Sequence, residues 1–406
     1  MFRGRRQDEL PFMRLTMLLR NPFTHDSRVE KEARSLTAAG YRVTVVADAA
    51  SGLPDAEERD GYSVLRVERP LRRVPVARFV AYRNRLLAAV LATRPQILHA
   101  NDTDTLEPIG AAARRLRIPF VYDAHELWLG QPPRGRGPLY SAAFRAYYRP
   151  IESLLVPRAA AVLTVSPPIA RNLARRYRLD EVHLVPNYPE LQPLRRRDLR
   201  SLPGGGQIPV DAPLLLHLGT IHAERGIAQL LSALGELPNV HLVLLGRDRD
   251  TSWVAGLVGE LGLAGRVHVL DRVPPEQVVD FAASATIGVV SVIPDSLNSR
   301  YSLPNKLFHY LAAGLPVVAT RLPQMQDVVE ANGLGVNVDT RRPSEIAAGV
   351  RSILSAPGGP TAIGARARRA AEERYNWETA ATALVAAYQW ATRERPASRT
   401  SGRSRR

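Results

Sequence analysis

Apolar residues recur along this chain in two alternating patterns. Short runs of aliphatic and β-branched residues give way to stretches in which apolar positions return every three or four residues, the period of a helix with one buried face. In the first half, the runs at 13–19, 41–47, 63–67, 97–100, 120–124, 161–165 and 182–186 predict strands. The periodic stretches at 26–39, 76–93, 105–116, 138–156 and 167–176 predict helices, the first of them stopped by Gly40. Residues 191–209 break the pattern: Arg195 to Arg197, Pro203, Gly204 to Gly206 and Pro209 carry no periodicity, which predicts a linker. Strands then resume at 214–218, 240–245, 267–270, 287–292, 316–320 and 335–338, and 376–391 reads as a last amphipathic helix.

Strands separated by helices in this order predict parallel sheets covered on both faces. The expected fold class is α/β, with two Rossmann-like doubly wound domains at 11–190 and 210–375 facing a central cleft. The segment 191–209 joins them, the helix at 376–392 follows the second domain, and 393–406 is expected to be a disordered basic tail. Open sheets of this kind bind ligands at the carboxyl ends of their strands, so the cleft is the expected site.

Composition narrows the chemistry. A chain of 406 residues with 45% hydrophobic and 23% charged residues has the make-up of a soluble globular protein of two domains. It has no cysteine, which excludes disulfides, zinc–thiolate sites, iron–sulfur clusters and thiolate nucleophiles and suits a reducing, cytoplasmic setting. No apolar run is long enough to span a membrane, and the charged start, Arg3 to Glu9, does not resemble a signal peptide.

The net charge of +16 is uneven: residues 1–200 hold 34 basic against 21 acidic residues, and 201–406 hold 21 against 18. A nucleic acid, an anionic membrane surface or a phosphorylated substrate would each explain a basic first half, and so would a merely solvated arginine-rich surface. No nucleic-acid recognition module accompanies the charge, so nucleic acid is not an expected partner. The aromatic, basic stretch 139–148, with Arg145, Arg149 and Arg158 on and near it, reads either as a helix lying on an anionic membrane or as one packed on its own domain.

Two stretches of the second half have the make-up of anion sites. A strand ending at Gly219 leads through Thr220 to Arg225 and a helix start, where backbone N–H groups and a guanidinium suit a phosphate. Lys306, one of only two lysines, follows Ser302-Leu303-Pro304 at a second helix start. In the first half His125 follows a strand and is flanked by Asp123 and Glu126, while His99, Asn101 and Asp102 end another strand. Asp102-Thr103-Asp104 has the letters of a metal-binding Asp-x-Asp, but it opens a helix, and capping is the preferred reading.

Three stretches carry a family resemblance: Tyr122-Asp-Ala-His-Glu126, Leu218-Gly-Thr followed by Glu224-Arg-Gly226, and Leu303-Pro-Asn-Lys-Leu-Phe-His-Tyr-Leu-Ala-Ala-Gly-Leu-Pro-Val-Val-Ala319. With them the chain resembles family 4 of the retaining glycosyltransferases, which have the GT-B fold, from Asn21 to the helix after Trp377, and the resemblance implies that the helix 376–392 crosses back to the first domain. The resemblance implies transfer of a sugar from a nucleoside diphosphate-sugar to a polysaccharide precursor or lipid-linked acceptor, with no metal or other cofactor. It implies that Arg225, Lys306 and the backbone of Ser302 and Leu303 hold the diphosphate and that Arg272 and Val273 pack on the nucleobase. His125 would then lie near the transferred sugar, and the loop Thr24–Arg28 would face the phosphates and acceptor, with Arg28 adding charge. His99, Asn101, Asp102 and Glu126 are the remaining acceptor-side candidates.

Two departures stand out. Many relatives place two glutamates where this chain has Tyr301 and His309, and a basic residue where it has Thr220. Pro304-Asn305-Lys306 fits a variant branch that lacks the first glutamate, but His309 departs from that branch too. A non-catalytic assembly partner and a nucleotide-sugar epimerase of the same architecture therefore remain open alternatives.

Overall fold

The computed structural model describes residues 12–70, 75–131, 137–222, 225–246 and 252–393. The expected tail lies outside the described residues except for Arg393. The first half folds as β1 (Met13–Leu18), α1 (Ser27–Ala38), β2 (Tyr41–Asp48), β3 (Ala56–Arg59), β4 (Tyr62–Val67), α2 (Pro75–Ala92), β5 (Ile97–Asn101), α3 (Leu106–Leu116), β6 (Phe120–Ala124), α4 (Pro138–Leu155), β7 (Ala161–Thr164), α5 (Pro167–Tyr177) and β8 (His183–Leu184). The second half opens with β9 (Leu214–Leu218), α6 (Ile227–Gly235), β10 (His241–Leu245), α7 (Ser252–Glu260), β11 (Val267–Leu270), α8 (Val278–Ala282) and β12 (Ile287–Val290). It continues with α9 (Leu297–Tyr301), α10 (Asn305–Ala312), β13 (Val317–Thr320), α11 (Pro323–Val328), β14 (Gly335–Val338), α12 (Pro343–Leu354), α13 (Gly359–Glu373) and α14 (Trp377–Thr392).

Strand order is β3-β4-β2-β1-β5-β6-β7-β8 in the first sheet and β11-β10-β9-β12-β13-β14 in the second. Every pairing is parallel except β3 with β4. Parallel strands covered on both faces need apolar residues on both, which is why they read as unbroken runs. In β1, Leu15 and Met17 point into the core beneath α1, while Leu18 points to the opposite core with Leu86 of α2 and Ile109 of α3. In β9, Leu214, Leu216 and Leu218 face one core and Leu215 the other.

Two features, β3 and the segment 191–209, depart from or extend the sequence expectations. β3 has no apolar run: Ala56-Glu57-Glu58-Arg59 pairs antiparallel on the outer edge of β4. Glu57 there binds Arg59 and Arg66, the kind of charged edge that discourages further strand addition. The segment 191–209 packs against the second domain rather than spanning freely. Its Arg195 N–H donates to Asp280 Oδ1 at 2.9 Å, and its Leu199 and Ile208 are buried in that domain's core. α14 leaves the second domain and packs on the first, burying Trp377, Leu384 and Tyr388 with the residues of α1, β1 and β2. Its start is fixed by Asn376, whose side chain accepts from the Thr379 N–H at 2.9 Å.

Candidate active site

The carboxyl ends of the two sheets face each other across a cleft of about 980 Å³. Its second-domain wall begins where β9 ends. Gly219 adopts φ +101, and Gly246 lies so close to it that a Cβ on Gly246 would stand 1.8 Å from the Gly219 carbonyl oxygen. Only glycine fits at this crossing, and the backbone stays open to the cleft. Thr220 and Arg225 follow, both exposed and both lining the space, and among the described residues the Arg225 guanidinium has no partner. Arg272 and Val273, just beyond β11, line the same wall.

α10 points its start at this space. No side chain caps its first turn, and Ser302, Leu303 and Lys306 line the cleft beside it. An uncapped helix start presents free N–H groups and a partial positive charge. Lys306 Nζ lies 3.3 Å from Nε2 of His217, a residue wholly buried in β9. Burial, and then the charge of Arg225, hold the Lys306 ammonium down to about 7. His309, one turn further, also lines the cleft, and burial followed by the charge of Lys31 holds it down to about 4, so its ring is neutral. Tyr301 instead turns toward the first domain, where it packs on the α2–α5 core.

The opposite wall is built on β6 and the β1–α1 loop. Thr24 and His25 of that loop, and Ser27 at the start of α1, are exposed to the cleft. His125 is gripped at three atoms: its backbone N–H donates to Asp102 Oδ1 at 3.0 Å, Nδ1 lies 3.2 Å from Asp102 Oδ2, and Nε2 lies 2.9 Å from Asp123 Oδ2. Burial opposes a charged ring, but the two carboxylates outweigh it and hold His125 well above its ordinary value, as an imidazolium. Glu126, next along, accepts from Asn298 Nδ2 at 3.0 Å.

Several expectations are corrected here. Asp102 does not cap the following helix: its φ is +61, no side-chain cap bond forms, and its carboxylate turns to His125. It therefore positions a cleft residue rather than lining the cleft. Arg28 reaches the cleft floor but is only 4% exposed, and its guanidinium binds Asp123 bidentately, Glu32 at 3.0 Å and the Val185 carbonyl at 2.6 Å. Its charge is already neutralised. His99 is wholly buried behind the site, bonded through Nδ1 to the Tyr388 hydroxyl of α14 at 2.5 Å. Asn101 is buried as well and donates to the Leu18 carbonyl at 3.1 Å.

Glu32, Asp123 and His125 bring ligand-type atoms within 4.8 Å of one another, the spacing of a metal site. The Arg28 guanidinium sits among them, however, and both ring nitrogens of His125 already face carboxylates. A second cation there would meet a fixed one, so the cluster reads as a buried ion network that stiffens His125. Asn298 is the residue that sequence reasoning passed over. It is buried at the start of α9, and its amide crosses the cleft to the first domain, donating to Glu126 and to Gln131 at 2.6 Å and accepting from the Leu127 N–H at 2.9 Å.

Residues 27–189 match Glycosyltransferase Family 4, and residues 212–356 match Glycosyl transferases group 1. A D-inositol 3-phosphate glycosyltransferase of Xylanimonas cellulosilytica is 29% identical over 310 residues, covering 70% of each chain. Among solved structures, sucrose-phosphate synthase from Thermosynechococcus elongatus superposes with a TM-score of 0.74 at 19% identity, over 93% of this chain and 98% of that one. HepE of Anabaena in complex with UDP-glucose superposes at 0.68 and 16% identity, over 93% and 99%. At these identities the structural likeness speaks for the architecture alone.

Proposed function

We infer the reaction from one premise: this chain belongs to glycosyltransferase family 4, has the GT-B fold and is a glycosyltransferase. The proposed reaction moves a sugar from a nucleoside diphosphate-sugar to a polysaccharide precursor or a lipid-linked acceptor, retains the anomeric configuration and uses no metal. One observation carries this reading. Arg225, Lys306 and the uncapped start of α10 converge on one wall of the cleft, opposite His125.

In this scheme the bond from the anomeric carbon to the diphosphate oxygen breaks, and the leaving group keeps the electron pair. Two cations and the aligned N–H groups stabilise that growing charge, the work that a divalent ion does in metal-dependent transferases. The acceptor hydroxyl attacks from the face the leaving group vacates, and its proton passes to the departing phosphate oxygen. The nucleobase rests against Arg272 and Val273. His125, fixed as a cation by Asp102 and Asp123, faces the transferred sugar together with Glu126.

Calorimetry with UDP-, GDP-, ADP- and TDP-sugars tests the donor site. One of them should bind, and Arg225→Ala should weaken it or slow turnover by roughly a hundredfold, the usual effect of removing a charge-stabilising donor. NMR of the product reads the anomeric configuration, turnover in excess chelator reads metal independence, and a need for acceptor separates transfer from epimerisation. If no nucleotide sugar bound and Arg225→Ala behaved as wild type, the scheme would be wrong.

A further inference from the structure

The first domain carries a surface that the reaction does not use. Among the described residues fifteen large hydrophobic side chains are exposed, and seven of them lie on two helices: Val76, Phe79 and Val80 on α2, and Leu139, Tyr140, Tyr147 and Leu154 on α4. Val76 is 72% and Leu139 86% exposed, so neither contributes to the core. The rings of Phe79 and Tyr147 meet edge to face at 5.4 Å, which joins the two groups into one patch. Apolar side chains gathered in this way mark a contact surface.

Charge identifies the partner. α2, α3 and α4 expose Arg78, Arg85, Arg114, Arg115, Arg145 and Arg149. Of the two acids on these helices one is paired and the other buried. Arg83 pairs with Glu107 at 2.6 Å and the Tyr147 hydroxyl donates to it, while Glu152 is 5% exposed and accepts from Thr103 and Tyr177. An aromatic, apolar strip on helices that also expose arginines and leave no carboxylate unpaired suits the headgroup layer of a bilayer that contains anionic lipid. Its place in the fold suits this too. α2 and α4 both start at the carboxyl edge of the first sheet, where the cleft opens. Trp128, in the loop that carries His125 and Glu126, stacks on Phe144 of α4 at 5.8 Å.

We propose that the α2–α4 face docks this chain on an anionic lipid surface, with the first-domain rim of the cleft at the bilayer. Docking itself stands on the surface alone. That it presents a lipid-linked acceptor to the cleft rests on the function proposed above.

The test is co-sedimentation of the full chain with vesicles of phosphatidylcholine, alone or mixed with phosphatidylglycerol. The chain should partition onto the mixed vesicles, and added salt should weaken it. The double variant Val76→Asp, Leu139→Asp should lose partitioning roughly tenfold or more. Nucleotide binding by calorimetry should be unchanged, showing that the variant is folded and that the donor site is a separate matter. Equal retention on phosphatidylcholine alone, or no vesicle binding, overturns the proposal. So does a dimer in light scattering that the double variant dissociates, which would make the face a contact between two copies.

Discussion

Lys306 is placed to change charge when it is used. Burial and the neighbouring Arg225 hold it down to about 7, so in the free protein at about pH 8 most of the population is the neutral amine. A diphosphate beside it favours the ammonium, and binding should take up a proton there. The sign follows: affinity for the nucleoside diphosphate falls as pH rises from about 7 toward 9. Calorimetry in two buffers of different ionisation enthalpy measures the uptake directly, and Lys306→Met should abolish it. An enthalpy independent of buffer at about pH 8 would show that no proton is taken up and that the lysine does not change charge on binding. The sequence made this wall legible because each of its groups follows a strand end or opens a helix, where backbone direction alone aims it at the cleft. His99 and Asn101 end a strand in the same way and yet lie buried behind the cleft. His99 alternates with Leu98 and Ala100 in β5, and the face it points to is covered by a helix whose Tyr388 lies 289 residues away. Nothing local to β5 carries that information.

At the scale of elements, the two walls are held together by α9. It is only five residues long, yet Asn298 binds three groups of the β6–α4 loop, and the Ser166 hydroxyl donates to the Tyr301 carbonyl at 2.8 Å. Asn298→Ala leaves the buried Leu127 N–H without an acceptor, a cost of about 1–3 kcal/mol. The expected outcome is a lower unfolding midpoint and a larger radius of gyration in solution scattering, as the cleft opens. Asn298→Asp should behave similarly, since its carboxylate would face Glu126. Unchanged scattering in both variants would mean that the staple does not hold the cleft closed. Elements were readable where hydrophobicity is periodic and silent where it is not. β3 left no signal because an edge strand paired on one side needs no apolar face, and 191–209 looked like a free linker because Leu199 and Ile208 are single buried residues in a polar stretch.

At the scale of the molecule, α14 ties the two domains into one folding problem. It buries Trp377, Leu384 and Tyr388 in the first domain's core, and the Trp377 indole donates to Ser35 of α1 at 2.9 Å. Fully burying each such side chain is worth roughly 1.5–3 kcal/mol, so the three together approach the whole stability of a typical domain. Ending the chain after Arg374 should therefore yield a first domain that aggregates or unfolds without a cooperative transition, measured by circular dichroism and light scattering. A soluble, cooperatively melting fragment would show that α14 only decorates the surface. The α/β alternation made both sheets readable, but no periodicity in 377–392 says which domain that helix belongs to, and only the family resemblance points it back to the first.

The same helix sets a timetable for synthesis. Strands β1 to β8 leave the ribosome early, yet the groove that receives α14 stays empty until nearly two hundred more residues have been translated. Throughout that interval the nascent first domain shows water an unfilled apolar furrow, and a holding chaperone would have to keep it from sticking to its neighbours.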